Sequence, residues 1–323
     1  MTDWTADDVP GQTGRTVVIT GANTGLGYEA ATVFARRGAT VVLACRDDAK
    51  AHAAADRIRA LAPTATVDTV RLDLASQRSV HEAADRLRHD HQRIDLLINN
   101  AGGLRHQHVI TEDGVESTFA TNHLGAFALT GLLLDRLLAT PGSRVVTVSS
   151  IGHRRGEIHF DDLNLDRGFK TTTAYFQSKL ANVMFTYSLA RLLDRTGTIA
   201  VAAHPGNVRT EFGRDLNPVA KALMHRRMSW LMGWLMQDPP MGVLGILRAA
   251  VDPAAGNGDY YGPPGRAQFT GHPVRVDSIA RSHDVAAQGR LWAESERLTG
   301  VRYEPVVRGF SSSVHPPGAP SAR

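Results

Sequence analysis

The chain alternates short, continuously apolar runs with longer segments in which apolar residues recur every three or four positions. The short runs are Thr16–Thr20, Thr40–Ala44, Thr66–Leu72, Ile94–Ile98, Arg144–Ser149 and Thr198–Ala203. Continuous rather than alternating hydrophobicity marks strands covered on both faces, as in a parallel sheet between two helix layers. Between the runs, Glu29–Arg37, Ala49–Leu61 and Ser79–His91 read as amphipathic helices, and Ala174–Leu193 is a further helical run. Strand–helix alternation of this kind implies right-handed crossovers and an α/β fold built on a doubly wound parallel sheet.

From about Thr210 the rhythm changes. Met224–Gln237 mixes methionine and tryptophan with a basic cluster, and Asp238-Pro239-Pro240 stops it. The pattern predicts a helix over Met241–Val251, a short strand and loop within Gly256–Gly271, and a last helix over Ala286–Leu298. Residues 1–13 and 311–323 read as flexible tails. No internal repeat or linker divides the rest, so residues 14–300 are expected to form a single domain.

Hydrophobic residues make up 42% of the 323, enough for a sizeable core. The net charge of +4 is spread along the chain, and the densest basic spot is only His225-Arg226-Arg227, so no nucleic-acid partner is expected. Cys45 is the one cysteine; it lies in an apolar run and reads as a buried small hydrophobe in a reducing compartment. The first 15 residues carry Asp3, Asp7 and Asp8 without an apolar stretch, and no run of 18 apolar residues occurs, so the expectation is a cytoplasmic protein with no transmembrane anchor. His89 and His91, like His106 and His108, have alternate spacing but no third ligand at a convincing distance, and no metal is expected.

Candidate chemistry begins where the first strand runs into Thr20-Gly21-Ala22-Asn23-Thr24-Gly25-Leu26-Gly27. Glycine suits a turn that reverses sharply and lets its backbone approach a pyrophosphate, and the helix behind offers unpaired N–H groups to the phosphates. About 20 residues on, where an adenosine ribose should lie, the second strand ends Ala44-Cys45-Arg46. An acid there would repel a 2′-phosphate; Arg46 can grip one, which favours NADP(H) over NAD(H). Asp47 and Asp48 follow at once and count against it.

The second centre is Tyr175, Ser178 and Lys179 near the start of a helical run. Residues 175 and 179 share a helix face. A phenol alone is a poor acid–base group at neutral pH, and a neighbouring ammonium stabilises its phenolate. Upstream, Val145-Val146-Thr147-Val148-Ser149-Ser150 ends a strand with two hydroxyls, of which Ser150 could hold a substrate oxygen beside Tyr175.

Together with Asn99-Asn100-Ala101-Gly102, Asn122 and Pro205-Gly206 through Thr210, these motifs occur in the order of the short-chain dehydrogenase/reductase family, which the chain resembles over roughly residues 14 to 300. Ala44-Cys45-Arg46, Thr121-Asn122-His123-Leu124-Gly125, Ser178-Lys179-Leu180-Ala181-Asn182, His204-Pro205-Gly206 and Leu291-Trp292 are similar more narrowly to the retinol-dehydrogenase-like subgroup. The resemblance implies a Rossmann fold and a reversible hydride transfer between carbonyl and alcohol. It makes Tyr175 the general acid or base and Lys179 its partner and a ribose ligand, has Ser150 orient the substrate, and puts Asn122 in a water-linked proton relay. For the cofactor it implies Gly21, Asn23, Thr24, Gly25, Leu26, Gly27, Arg46, Asp73, Leu74, Asn99, Ala101, Gly102, Tyr175, Lys179, Pro205, Gly206, Val208 and Thr210. Asp73 would contact adenine and Thr210 the carboxamide. Simpler roles compete: Asp73 as a helix cap, Asn99 as a sheet tie, Asn122 as a partner for buried carbonyls.

The segment around 210–240 is expected as a substrate lid, and Met228–Met236 within it suits a bulky apolar substrate. Core packing and membrane contact are its competitors. The late helix Met241–Val251 and the helices around 115–138 and 174–193 are expected to serve a homodimer or homotetramer, since relatives pair through such helices. Membrane-bound relatives carry an N-terminal apolar anchor; none is expected here, so retinoid chemistry is not carried over. Two other readings are weighed: a catalytically silent cofactor sensor, against which Ser150, Tyr175 and Lys179 stand together, and a sugar-nucleotide epimerase or dehydratase, whose glycine spacing differs.

Overall fold

The computed structural model describes residues 3–208 and 236–303. The expected lid segment, apart from 236–240, and the tail 311–323 lie outside them, as does Thr210. The strands are β1 (Thr16–Thr20), β2 (Thr40–Cys45), β3 (Val67–Arg71), β4 (Leu96–Asn99), β5 (Arg144–Val148), β6 (Ile199–Ala203), β7 (Tyr260–Gly262) and β8 (Val274–Arg275). They form one sheet in the order β3-β2-β1-β4-β5-β6-β7-β8. All neighbours run parallel except β7 and β8. The chain winds outward from β1 to β3, then returns to the other side of β1 to start again at β4. That reversal opens a crevice at the carboxyl ends of β1 and β4, where a doubly wound sheet binds ligands.

Successive residues of each strand feed opposite cores. Val17, Ile19, Val41, Leu43, Ile98 and Val146 pack with α1 (Gly25–Arg36), α2 (Asp48–Leu61) and the late helix Leu244–Val251. Val18, Val42, Leu97 and Val145 face the other way, towards α3 (Gln77–Asp90) and residues Phe127, Leu129, Phe185 and Leu189. Burial on both faces is why the strands read as unbroken apolar runs.

The long helix expected around 115–138 is broken into four pieces: α4 (Ser117–Phe119), a π turn (Ala120–Leu124), α5 (Gly125–Leu132) and α6 (Leu134–Leu138). Buried Glu116 caps the first, accepting hydrogen bonds from the N–H groups of Thr118 (2.7 Å) and Phe119 (2.8 Å). The wider π turn shifts Asn122 out of α-helical register. At Gly125 a Cβ would collide with the Leu74 main-chain oxygen, so the helix lies directly against the β3–α3 connection. The run expected over Ala174–Leu193 is α7 (Thr171–Leu192), and the one over Met241–Val251 is split into Pro239–Gly242 and Leu244–Val251.

Two terminal segments close the fold. Residues ahead of β1, expected as a flexible tail, are packed. Thr5 forms a capping box around the turn Ala6–Asp8, Val9 is buried, and the Trp4 carbonyl lies 2.9 Å from His272 Nδ1. The last helix, Val285–Thr299, lies on α5 and α7: Trp292 meets Phe127 (5.1 Å), Phe185 (5.9 Å) and Tyr303 (4.7 Å). The last helix thus covers part of the apolar surface of α5 and α7. Among the described residues no helix is long and apolar enough to cross a membrane.

Trp292→Ala should lower stability by about 2–4 kcal/mol in urea unfolding, because the ring bridges three aromatic side chains. A loss under about 0.5 kcal/mol would mean that the helix docks without it. A pH dependence follows from three enclosed histidines. Burial pushes His123 down to about 3, His153 to about 4 and His204 to about 3. The unfolded chain takes up these protons near pH 6.5 and the folded chain does not, so stability is full above that pH and falls as the pH drops below it. Each histidine contributes up to about 1.4 kcal/mol per pH unit. Urea unfolding at pH 7.5, 6.0 and 5.0 reads this slope, and equal stability across the series would refute it.

Candidate active site

The turn between β1 and α1 is built around atoms that leave no room for side chains. Gly21 (φ 66°) and Gly25 (φ 59°) hold left-handed conformations. A Cβ on Gly27 would lie 2.5 Å from Asn100 Nδ2 and 2.7 Å from the Gly21 oxygen. Asn100 Nδ2 donates to the Thr20 oxygen (2.9 Å), and Thr20 Oγ1 accepts from the N–H groups of Asn100 (3.0 Å) and Ala101 (2.9 Å). The end of β4 is thereby tied to the turn.

Asn100, which sequence reasoning quoted without assigning a role, thus shapes the turn. Its neighbour Asn99 points away and donates to Thr130 Oγ1 at 2.9 Å in the opposite core; it is a sheet-to-helix tie and does not line the crevice. The signal was available, since only one of two consecutive strand-end residues can face the turn.

The crevice is a cleft of about 270 Å³ lined by Gly21, Asn23, Cys45, Arg46, Asp73, Leu74 and Ala101, and by Gly102, Arg105 and Asn122 farther along. These residues fit a nucleotide: a glycine cradle that a Cβ would fill, the start of α1, and cations beside them. Arg46 is exposed at the end of β2. Asp47 directly behind it is turned to other work, accepting from Lys50 N (3.1 Å) and pairing with Lys50 Nζ (2.9 Å). The side-chain and main-chain hydrogen bonds from Lys50 hold its carboxyl below the usual carboxylate range. Arg57 was missed by sequence reasoning; from α2 its Nη2 approaches the Asn23 oxygen (3.4 Å) and its guanidinium stacks over Tyr28 (4.5 Å). Asp73 lines the cleft, and its Oδ1 accepts from Ala75 N at 3.0 Å in the turn ahead of α3; the helix cap is Ser76, so the capping reading of Asp73 does not hold. Burial pushes the Cys45 thiol up to about 11, against the N–H groups of Ala22 and Asn23 that favour its thiolate, so it is an unreactive wall.

At the other end of the cleft four elements converge. A Cβ on Gly102 would lie 3.0 Å from Asn122 Oδ1 and 3.2 Å from Lys179 Nζ. Asn122, on the π turn, accepts from Gly103 N (3.0 Å) and donates to Gly103 O (3.1 Å) and Ser178 Oγ (2.9 Å). Both amide protons are committed, so the side chain braces the 101–104 loop against α7. Lys179 is 4% exposed; its Nζ donates to Val148 O at 3.1 Å and stands 5.8 Å from the Tyr175 ring centre. The Tyr175 ring reaches Gly152, where a Cβ would lie 3.4 Å from Cε1. Ser150 Oγ accepts from Gly152 N (3.1 Å), which leaves its own proton for another acceptor. Ser149 Oγ instead donates to Lys179 O (2.8 Å) and is buried. Of the two hydroxyls at the strand end, Ser150 is the accessible one.

Pro205, Gly206 and Val208 follow β6. Gly206 (φ 70°) is wedged against Phe269 O and Pro263, and Gln237 Nε2 donates to Pro205 O. Val208 and Leu26 both approach Gly242, bringing this loop to the first turn of α1. Thr24 is the N-cap residue of that helix. Among the described residues no group of three or more His, Cys, Asp or Glu side chains is placed to hold a metal ion.

Comparison with known proteins agrees with this geometry. The family profile described as short chain dehydrogenase matches residues 15–220. Human retinol dehydrogenase 13 is 42% identical over 304 residues, covering 91% of this chain and 89% of that protein, and mouse retinol dehydrogenase 14 is 38% identical, covering 89% and 86%. The crystal structure of an uncharacterized protein from Mycobacterium paratuberculosis is 39% identical with a TM-score of 0.76, covering 94% of this chain and 99% of that one. L-sorbose reductase from Gluconobacter frateurii, complexed with NADPH and L-sorbose, shares the fold at 21% identity and a TM-score of 0.63, covering 81% and 99%. The chain is an oxidoreductase of the short-chain dehydrogenase/reductase family, in its retinol-dehydrogenase-like group.

Proposed function

We propose that this protein interconverts a carbonyl and an alcohol with NADP(H), and that Tyr175 moves the proton. The observation that carries the reading is the convergence of Lys179, Tyr175, Ser150 and Asn122 at the far end of a cleft whose near end is a glycine cradle. Bound NADPH would supply the hydride. Ser150, with Gly152 N already donating to its oxygen, turns its proton towards the substrate oxygen. Tyr175 gives its hydroxyl proton to that oxygen as negative charge develops there, and the Lys179 ammonium stabilises the phenolate left behind. Asn122 keeps the loop carrying Gly102 and Gly103 at the right height, and Gly21 to Gly27 receive the pyrophosphate.

For the cofactor, Arg46 and Arg57 form the positive end that a 2′-phosphate would meet, and the commitment of Asp47 to Lys50 removes the nearest objection. Reduction is the favoured direction, since NADPH is the usual cellular reductant. The substrate is read as bulky and apolar, on the methionine and tryptophan content of the expected lid. Retinol, the alcohol after which the retinol dehydrogenases are named, is of that kind, and their specific substrate is not transferred. Residues 14–300 are assigned to one domain.

Fluorescence titration should show NADPH binding more tightly than NADH, and Arg46→Ala should weaken NADPH by roughly 10- to 100-fold while sparing NADH. Equal effects on both nucleotides would overturn the 2′-phosphate assignment. Tyr175→Phe should lower turnover of aldehydes and ketones by about 10²–10⁴-fold with NADPH binding unchanged; a variant that keeps wild-type turnover would remove Tyr175 from the chemistry.

A further inference from the structure

Directly behind Ser150 the chain enters a short 3-10 turn, Ile151–Arg155, and turns the His153 ring back into the protein. The ring is fully buried. Its Nδ1 lies 2.7 Å from the main-chain oxygen of Ser150. A carbonyl can only accept, so Nδ1 carries the proton and Nε2 is left as a lone-pair acceptor. That Nε2 is buried and makes no hydrogen bond.

Tyr260, from β7, holds the ring in place. It lies edge-on to His153 at 5.4 Å, with its hydroxyl 3.4 Å from the same Nδ1. Burial pushes the Tyr260 hydroxyl up, and the neighbouring Ser149 side chain opposes this; Ser149 Oγ itself donates to Lys179 O at 2.8 Å. On its other side Tyr260 packs against His204 at 5.2 Å. The His204 ring has the opposite tautomer: Nε2 donates to Gln268 Oε1 (3.0 Å), and Nδ1 accepts from Gly206 N (3.2 Å).

Three polar rings are therefore packed beneath the site, and two of them, His153 and His204, bond main-chain atoms of Ser150 and Gly206. Burying them is not a route to stability. An enclosed acceptor without a partner, such as His153 Nε2, costs free energy that an apolar side chain of similar shape would avoid. What the arrangement supplies is position: the Nδ1–H of His153 fixes the peptide whose side chain is the accessible hydroxyl.

We propose that His153 is a positioning residue for the reaction, holding the Ser150 carbonyl so that Ser150 Oγ stays on Gly152 N and aims its proton at the substrate oxygen. This rests on the reading of Ser150 and Tyr175 as the reacting pair. Residues that lock a reacting group in this way act on turnover more than on nucleotide binding.

The test uses the full chain and two substitutions of similar bulk. An asparagine amide nitrogen stands about where Nδ1 does, and a glutamine amide nitrogen about where Nε2 does. Reduction of 4-nitrobenzaldehyde and of a set of larger aromatic ketones with NADPH is compared for wild type, His153→Asn, His153→Gln and Tyr175→Phe, beside NADPH affinity and thermal stability. The expected result is a kcat lowered roughly 10- to 100-fold in His153→Gln and largely recovered in His153→Asn. NADPH affinity should be unchanged, and the two variants should lose similar stability. Nitrogen NMR of histidine-labelled protein at pH 7.5 should also show an Nδ1–H tautomer that disappears in His153→Asn. Equal kcat loss in both variants, or an Nε2–H tautomer at His153, overturns the proposal while the Tyr175 reading stands. Wild type that binds NADPH and reduces none of the carbonyls, or Tyr175→Phe that reduces them normally, overturns the reading of the site and the role of His153 with it.

Discussion

The end of β5 and the middle of α7 are tied together in both directions, and the site depends on that tie. Lys179 Nζ and Asn182 Nδ2 both donate to Val148 O, at 3.1 and 3.2 Å, and Ser149 Oγ returns a hydrogen bond to Lys179 O at 2.8 Å. β5 leads into Ser150 and α7 carries Tyr175. A sheet and a helix packed only through apolar side chains could slide or rotate by fractions of an ångström at little cost. Three buried hydrogen bonds at one crossing remove that freedom, because an unmade one would leave a polar group stranded in the core. Lys179 serves both sides of this arrangement: one of its protons anchors the strand end, and its charge remains beside the Tyr175 ring.

The nucleotide end is organised by crowding. Asn100 fills the space beside Gly27 and binds the oxygen of Thr20, so the turn cannot relax inwards, and Gly21 is pressed against Ala101 with only 3.0 Å between a Cβ and the Ala101 Cα and Cβ. The two ends communicate through the 101–104 loop, which leaves β4 beside the glycine turn and is gripped by Asn122 at its far end. Asn122 can reach it because the π turn shifts that residue out of α-helical register.

What could be read from the chain followed from local patterns. Strands buried on both faces show as apolar runs; β1 has the bounds its run predicts, and β2 to β6 differ by a residue or two at their ends. β8, two residues long, has too few positions to show a period. The break at Ala120–Leu124 was hidden because an extra residue in a turn leaves no compositional trace. The glycine turn and Tyr175 with Lys179 stood out because their chemistry demands particular residue types at fixed spacing. The packing of the residues ahead of β1 was not legible: the main-chain oxygens of Trp4 and Ala6 are held by His272 and Arg37, which lie far away in sequence. Ser149 and Ser150 were separable only weakly by sequence, whereas in the fold the Ser149 hydroxyl is buried under α7 and Ser150 is only half-buried.

Arg57 changes how the proposed preference for a 2′-phosphate should be understood. An exposed guanidinium such as Arg46 makes a weak ion pair by itself, because water competes for both charges and the long side chain loses freedom on binding. Arg57 is already held, by Tyr28 beneath it and by the Asn23 oxygen at its tip, so less freedom remains to be lost. Removal of Asp47 into the α2 cap matters as much as either cation, since a carboxylate at that position would repel the phosphate directly. Selectivity in this reading is therefore shared between Arg46 at the strand end, Arg57 held in advance, and the pairing of Asp47 with Lys50, which offsets the acid nearest to them.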